Sequence, residues 1–252
     1  QKKVNDFKFD LTATANLTQS TGASQASSVS GLVAPGLFNL SNTLSNPSTS
    51  NSNSEQRSVS LWSKVDVAYK NYLFATITGR NDWFSTLDPE NRSFFYPSAQ
   101  VSFVPTDAFE SLKNIKHLDY FKLRGGWSQV GKVNIAPYSL LPIFGQSSGY
   151  TYSGQGGYTI GSQLVAPGLK PELTAGYEAG FDVSAYRSRV SGAFTYYSNT
   201  TKNQTLSTGI SSASGFTSYL LNVGETSSKG IEAALTVVPV RTDNWFVSLG
   251  AN

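Results

Sequence analysis

The chain has 252 residues, no cysteine, one histidine and a net charge of +3, which excludes disulfides and thiolate metal sites and gives no reason to expect nucleic acid as a partner. Apolar residues are 39% and aromatics 13% of the sequence, and no uninterrupted apolar run exceeds the four residues Tyr72–Ala75, so a transmembrane helix is excluded while a polar-lined barrel with aromatic belts suits the mixture.

In chain order, Phe7, Phe9, Leu11, Ala13 and Ala15 alternate with Asp6, Lys8, Asp10, Thr12 and Thr14. Side chains on a strand point to opposite faces at every step, so this reads as a first strand. Residues 18–57 are expected to be a long polar connection, because twelve of the fourteen positions from Ser41 to Ser54 are Ser, Thr or Asn and such a run has nothing to build a core with. Val59, Leu61, Val65, Val67 and Tyr69 mark a second strand, which turns tightly at Lys70-Asn71 into a third, Tyr72 to Arg80. A medium connection holds Asn81-Asp82-Trp83 and Asp88-Pro89-Glu90-Asn91. A fourth strand then spans Phe95 to Val104, a short helix is expected near Asp107, and a fifth strand runs from Tyr120 to Ser128.

A second long connection, 129–171, is rich in Gly, Ser and Tyr. After it comes the most regular stretch of the chain. Leu173, Ala175, Tyr177, Ala179, Phe181, Val183 and Ala185 share one parity, while Glu172, Thr174, Gly176, Glu178, Gly180, Asp182 and Ser184 share the other. At roughly 3.3 Å per residue this strand reaches about 45 Å, more than the ~9–11 tilted residues that cross a bilayer. The chain reverses at Arg187-Ser188-Arg189 and returns from Val190 to about Leu206. A loop at 207–222 leads to an eighth strand around Ile231–Val237, and a short turn at 239–243 starts a ninth.

The connections alternate in length, so that one end of an antiparallel meander carries long loops and the other tight turns, as in outer-membrane barrels. The expected fold is all-β: an antiparallel transmembrane barrel, of which these nine strands form part. Placing Ser128 near Glu172 pairs the fifth and sixth strands with residue numbers summing to about 300, which sets Lys122 opposite Glu178, with Arg124 on the same polar face.

An ordered set of motifs resembles a known family. The marks are Arg80-Asn-Asp82, Tyr96-Pro-Ser98, Phe121-Lys-Leu-Arg-Gly-Gly-Trp127 with Gly131, Lys170-Pro-Glu172 with Glu178 and Gly180-Phe-Asp182, Tyr196-Tyr197 with Thr200 and Gln204, and Asn222-Val-Gly224 with Lys229-Gly-Ile-Glu232. In this order they look like later barrel strands of SusC/RagA-type TonB-dependent outer-membrane transporters. Two loop positions depart from the family pattern: Trp83-Phe84-Ser85-Thr86 where small residues are usual, and Gly131-Lys132 where the family tends to have Gly-Asn.

The resemblance implies a 22-stranded barrel, preceded by a plug domain and a TonB-contacting segment. Residues 1–252 are then expected to be an internal portion of one barrel domain, with signal peptide, plug and final strands outside it. It also implies a Gram-negative outer-membrane location, and import of oligosaccharide or peptide driven through the TonB system beneath a SusD-like surface lipoprotein. No cofactor and no enzymatic activity are expected.

Candidate site residues divide into two groups. The loop aromatics Trp83, Phe84, Phe94, Phe144, Tyr150, Tyr152 and Tyr158 stack on cargo, pack against a partner, or fold the loops onto one another. Lys122, Arg124, Glu178, Asp182 and Glu232 read as charges on a lumen wall. Glu178 and Asp182 are separated by about 13 Å along a strand, too far for a glycosidase pair at about 5–9.5 Å. His117 reads as a solvated turn residue, and Lys229-Gly230 lacks the glycine spacing of a phosphate loop. Tyr69, Tyr72 and Trp245 read as an inner aromatic belt. Two other readings stand beside the transporter: a soluble all-β module binding carbohydrate or protein, and an outer-membrane barrel hydrolase. The second requires histidine or paired acids at the long-loop end, whereas His117 lies at the other.

Overall fold

A computed structural model describes residues 2–152 and 155–252, with only the backbone described for 146–152 and 155–156. The first strand, β1 (Lys2–Val4), is short and folds back on β2 (Phe7–Ser28), which forms a hairpin with β3 (Ser48–Tyr69). Next come β4 (Leu73–Phe84) and β5 (Ser93–Phe103), then two single-turn helices, α1 (Pro105–Ala108) and α2 (Glu110–Lys113), and then β6 (Leu118–Lys132). A separate hairpin, β7 (Phe144–Tyr152) and β8 (Gln155–Ile160), and a short β9 (Gln163–Val165) lie inside the connection after β6. The sheet resumes with β10 (Glu172–Ala185), β11 (Val190–Gly209), β12 (Ser218–Arg241) and β13 (Phe246–Ala251).

All but β7 and β8 belong to one sheet, in the order β1-β2-β3-β4-β5-β6-β10-β11-β12-β13, with every neighbour antiparallel and β9 added parallel to β12. It is a meander whose two edges do not meet, an open arc of a barrel wall. Among the described residues no helix is long and apolar enough to cross a membrane; the long strands are the candidate membrane-crossing elements.

Register makes the two faces chemically distinct. Directly paired residues share a face. One face carries Phe9, Leu11, Val65, Ile77, Ala99, Trp127, Tyr177, Tyr196 and Ile231 in successive strands. The other carries Asp10, Asp66, Thr76, Gln100, Glu178, Tyr197 and Gly230. Many large apolar residues of the first set stay exposed, Leu11, Ile77, Tyr177 and Ile231 among them. In a water-soluble protein that band is a liability, whereas facing lipid it is the solvating surface.

The hairpin β2–β3 is longer than its alternation. Residues 18–28 and 48–57, expected as connection, are paired strand up to Ser28 with Ser48, leaving only 29–47 as loop. Beyond the bilayer both faces meet water, so Ser, Thr and Asn occupy both parities and the period-2 signal disappears although the ladder continues. The connections at the same end of the sheet are 85–92, 133–171 and 210–217; at the other end are the turns around 5–6, 70–72, 186–189 and 242–245 and the helical link 104–117.

At the short-turn end, rings form a chain: Phe7 to Tyr69 at 4.6 Å, Tyr69 to Tyr72 at 5.4 Å, Tyr72 to Phe103 and Phe103 to Phe109 each at 6.1 Å. Tyr69 and Tyr72, read from the sequence together with Trp245 as an inner aromatic belt, both belong to this chain of rings, and Trp245 lies at the same end in the turn before β13.

Candidate functional site

The polar face of the sheet brings the predicted charges together. Asp182 pairs directly with Lys122, and Gly180 with both Arg124 and Thr195; Thr195 in turn pairs with Glu232, and Glu178 with Tyr197. Lys122 therefore lies opposite Asp182 rather than Glu178, four residues from the expected register, because β6 continues to Lys132 before the chain leaves the sheet. Arg124 Nε stands 3.5 Å from Asp182 Oδ2, and its Nη2 donates to Thr195 Oγ1 on β11. To do this the guanidinium crosses β10 over Gly180. A Cβ there would lie 3.3 Å from Arg124 Cζ and 2.3 Å from the Phe194 carbonyl oxygen, so only glycine leaves the passage open. Gln100, Ser128, Glu178, Thr195, Asn199 and Glu232 border a recess of about 540 Å³ on this face.

Nearer the long-loop end lies a second polar cluster. Arg80 and Asp82, two apart on β4, point to the same face. Arg80 Nε donates to Asp82 Oδ1 at 2.8 Å and its Nη2 to Ser60 Oγ at 3.0 Å, while the Tyr96 hydroxyl donates to Asp82 Oδ2. The Arg80 guanidinium lies 5.9 Å from the centre of the Tyr96 ring. Asp82 is only 2% exposed, and a carboxylate so buried is tolerable because Arg80 and the Tyr96 hydroxyl each donate to one of its oxygens. The motifs Arg80-Asn-Asp82 and Tyr96-Pro-Ser98 thus converge on one network joining β3, β4 and β5.

Above this network the loops form a small core. Leu87 and Leu169, each 1% exposed, pack with Ile135, and Phe84, Phe94, Val133, Leu140, Val165, Ala166 and Leu220 close around them. Phe84 stacks on Phe94 at 5.7 Å with planes 8° apart. Phe84 and Phe94 therefore fold the loops together. Trp83 stands on the apolar face with Val59, its direct partner. Phe144 and Tyr158, 70% and 69% exposed, sit on the β7–β8 hairpin. The side chains of Tyr150 and Tyr152 lie outside the described residues.

Asn222 ties the long connection to the wall. Its Oδ1 accepts from Lys170 N at 2.7 Å, and its Nδ2 reaches Lys170 O at 2.9 Å, Asn203 O at 2.8 Å and Thr205 Oγ1 at 3.1 Å. The β11–β12 register shifts on either side of Gln204, and Asn203 has φ +57°; this bulge directs the Asn203 carbonyl to Asn222. Two backbone bonds, Ala166 N to Leu220 O and Thr217 N to Ser162 O, add to the attachment. Nothing in the local sequence of Asn222-Val-Gly224 announces this hub.

Among the described residues there is no group of three or more His, Cys, Asp or Glu able to hold a metal. His117 stacks on Tyr186 at 4.6 Å at the short-turn end, far in the fold from the loop core. The family model for "TonB dependent receptor-like, beta-barrel" matches residues 2–252. The chain belongs to that family. A TonB-dependent receptor from Formosa agariphila, P26, is 30% identical over 74% of this chain and 19% of its own length. The TonB-dependent receptor SusC from Bacteroides thetaiotaomicron is 25% identical over 77% of this chain and 20% of its own.

Among solved structures, the RagAB peptide importer in its closed-closed state superposes with a TM-score of 0.82 at 21% identity, covering 99% of this chain and 28% of that one. The same fold appears in the ferric enterobactin receptor PfeA from Pseudomonas aeruginosa, with a TM-score of 0.51 and 17% identity over 94% of this chain and 33% of that one. The chain is thus a SusC/RagA-type outer-membrane β-barrel segment of a Gram-negative TonB-dependent receptor, spanning about a fifth of the length of the P26 and SusC receptors. Its relatives are receptors and transporters rather than enzymes.

Proposed function

We propose that the full-length protein is a TonB-dependent importer that takes up a glycan- or peptide-type nutrient together with a surface lipoprotein, and that residues 1–252 supply a third or more of its barrel wall and one ordered extracellular cap. The polar face lines the lumen, with Lys122, Arg124, Glu178, Asp182 and Glu232 as its charges. The apolar face meets lipid. Substrate enters from the long-loop end, the lipoprotein closes over it, and force delivered through TonB displaces a plug held in the lumen.

The observation that carries this reading is the loop core. Leu87 comes from the connection 85–92, and Ile135 and Leu169 from opposite ends of 133–171, and all three are nearly dry, so the mouth has a preformed shape on which a partner can seat. It leaves Phe144 and Tyr158 outward, as anchors for the lipoprotein. The likeness to RagAB, a peptide importer, supports peptide as a cargo class, and neutral, hydroxyl- and amide-rich wall residues such as Gln100, Ser128 and Asn199 support glycan.

Deletion of the full-length gene, followed by uptake of labelled oligosaccharides and labelled peptides, tests the proposal. Loss of one class on deletion, restored by the gene in trans and abolished by removing TonB, is expected. Uptake of both classes unchanged refutes it.

A further inference from the structure

We infer that the short-turn end of this wall carries a binding site for the phosphate-bearing headgroup of an anionic phospholipid, built from Lys113, Lys116, Arg187 and Arg189. Cations cluster at one end of the sheet. The connections of the short-turn end, 5–6, 70–72, 104–117, 186–189 and 242–245, hold five Lys and Arg, four of them on the 104–117 link and the 186–189 turn, against four Asp and Glu; the connections 29–47, 85–92, 133–171 and 210–217 hold two against two.

Four of these cations lie on two segments that are in contact. The 104–117 link and the 186–189 turn touch: Tyr186 N donates to His117 O at 2.9 Å, Ser188 N donates to Asp119 Oδ2 at 2.8 Å, and the His117 and Tyr186 rings stack. Lys113, Lys116, Arg187 and Arg189 are exposed, and none is ion-paired among the described residues. Asp107 and Glu110 share the 104–117 link without forming an ion pair with these cations, and Asp119, at the start of β6, accepts from the Ser188 amide. Tyr186, Arg187 and Ser188 have φ of +56°, +59° and +58°, and His117 has +75°. Left-handed conformations are costly for side chains of L residues and persist where surroundings over-determine them. Here they hold Arg187 at the tip of a tight turn.

The occupant is set by what adjoins these cations. The aromatic chain from Phe7 to Phe109 ends on the same 104–117 link, and Phe109, Ile115 and Tyr186 are all about half exposed. Rings at headgroup level beside unpaired cations offer an apolar floor for acyl chains and charge for a phosphate. A soluble phosphate would use the cations but not the rings. The inference rests on the outer-membrane placement and is independent of the cargo.

The test uses full-length protein in nanodiscs of phosphatidylcholine containing a minority of phosphatidylglycerol, with retained lipids counted by native mass spectrometry. The unmodified protein is expected to retain phosphatidylglycerol above its bulk share. Each basic residue at an anionic surface is worth about fivefold in affinity, so the quadruple Lys113→Gln, Lys116→Gln, Arg187→Gln, Arg189→Gln variant should lose at least about tenfold of that enrichment. Lys113→Gln with Lys116→Gln leaves the strained turn untouched and should lose part of it. In the unmodified protein, enrichment should fall steadily with added NaCl.

No enrichment in the unmodified protein overturns the inference, as does equal enrichment in the variants. Full displacement by millimolar inorganic phosphate shows a free-phosphate site and overturns it too.

Discussion

Replacing Asn222 by alanine should release the long extracellular connection without disturbing the barrel. The side chain makes four contacts between 2.7 and 3.1 Å, with two Nδ2 hydrogens shared among three acceptors. At about 1 kcal/mol per net hydrogen bond, discounted for a half-buried site, the loss is roughly 2–3 kcal/mol. The strands on either side keep their own ladder, so the cost falls on the attachment of 161–171. Opening of that segment should become about 30–150 times more frequent, since 1.36 kcal/mol is a factor of ten. Hydrogen exchange on the full-length protein measures this directly: amides of 163–170 should exchange faster by that factor, while those of 174–184 should not change. Asn222→Asp keeps the acceptor for Lys170 N but turns a second oxygen toward the Lys170 and Asn203 carbonyls, so it should loosen the segment at least as much. Unchanged exchange at 163–170 in both variants would refute the assignment of Asn222 as the anchor.

Shortening 144–158 to a brief Gly/Ser link in the full-length protein should leave assembly intact, as seen by heat-modifiable mobility, and should lower lipoprotein co-purification or cargo uptake; both unchanged would make the β7–β8 hairpin dispensable. Arg80→Ala leaves the buried Asp82 without its cation and should cost roughly 3 kcal/mol, read as a lower denaturation midpoint, whereas Arg80→Lys should recover part of it. Leu169→Ala should cost about 2–4 kcal/mol of loop-core stability and raise protease sensitivity at 133–143 while the strands resist. Residues 1–252 expressed alone should not give a monodisperse, heat-resistant monomer in detergent, because unpaired strand edges in lipid cost several kcal/mol per group.

The sequence was most legible where two different solvents touch one strand. Lipid on one side and water on the other forced the strict alternation from Leu173 to Ala185, and pairing runs through all of it. Where both faces meet water, as from Thr18 to Ser28 and Ser48 to Arg57, the same ladder left no pattern and read as loop. The four-residue register difference has a similar origin: the polar end of β6, Gln129 to Lys132, looks like connection although it still pairs with β10.

Site geometry was less legible, since it depends on residues far apart in the chain. The charges of the polar face were visible from parity, but the crossing of Arg124 over Gly180 to Thr195 needs three strands in register. Phe84 carried no local mark separating a loop core from a cargo contact. Its stacking on Phe94 and its place beside Leu87 and Leu169 exist only once the connections 85–92 and 133–171 meet over the ends of β4 and β5.

The central claim is that one face of this sheet meets lipid and the other a hydrated lumen, and consecutive positions along β10 test it most directly. Residues 1–252 contain no cysteine, so single cysteines can be placed at 174 through 179 in the full-length protein, with any cysteines elsewhere removed, and labelled with a solvent-sensitive fluorophore in native membranes. Labels at 175, 177 and 179 should be quenched by nitroxides on lipid chains and ignored by aqueous iodide. Labels at 174, 176 and 178 should show the reverse. Quenching that fails to alternate, or that alternates with the opposite parity, contradicts the account.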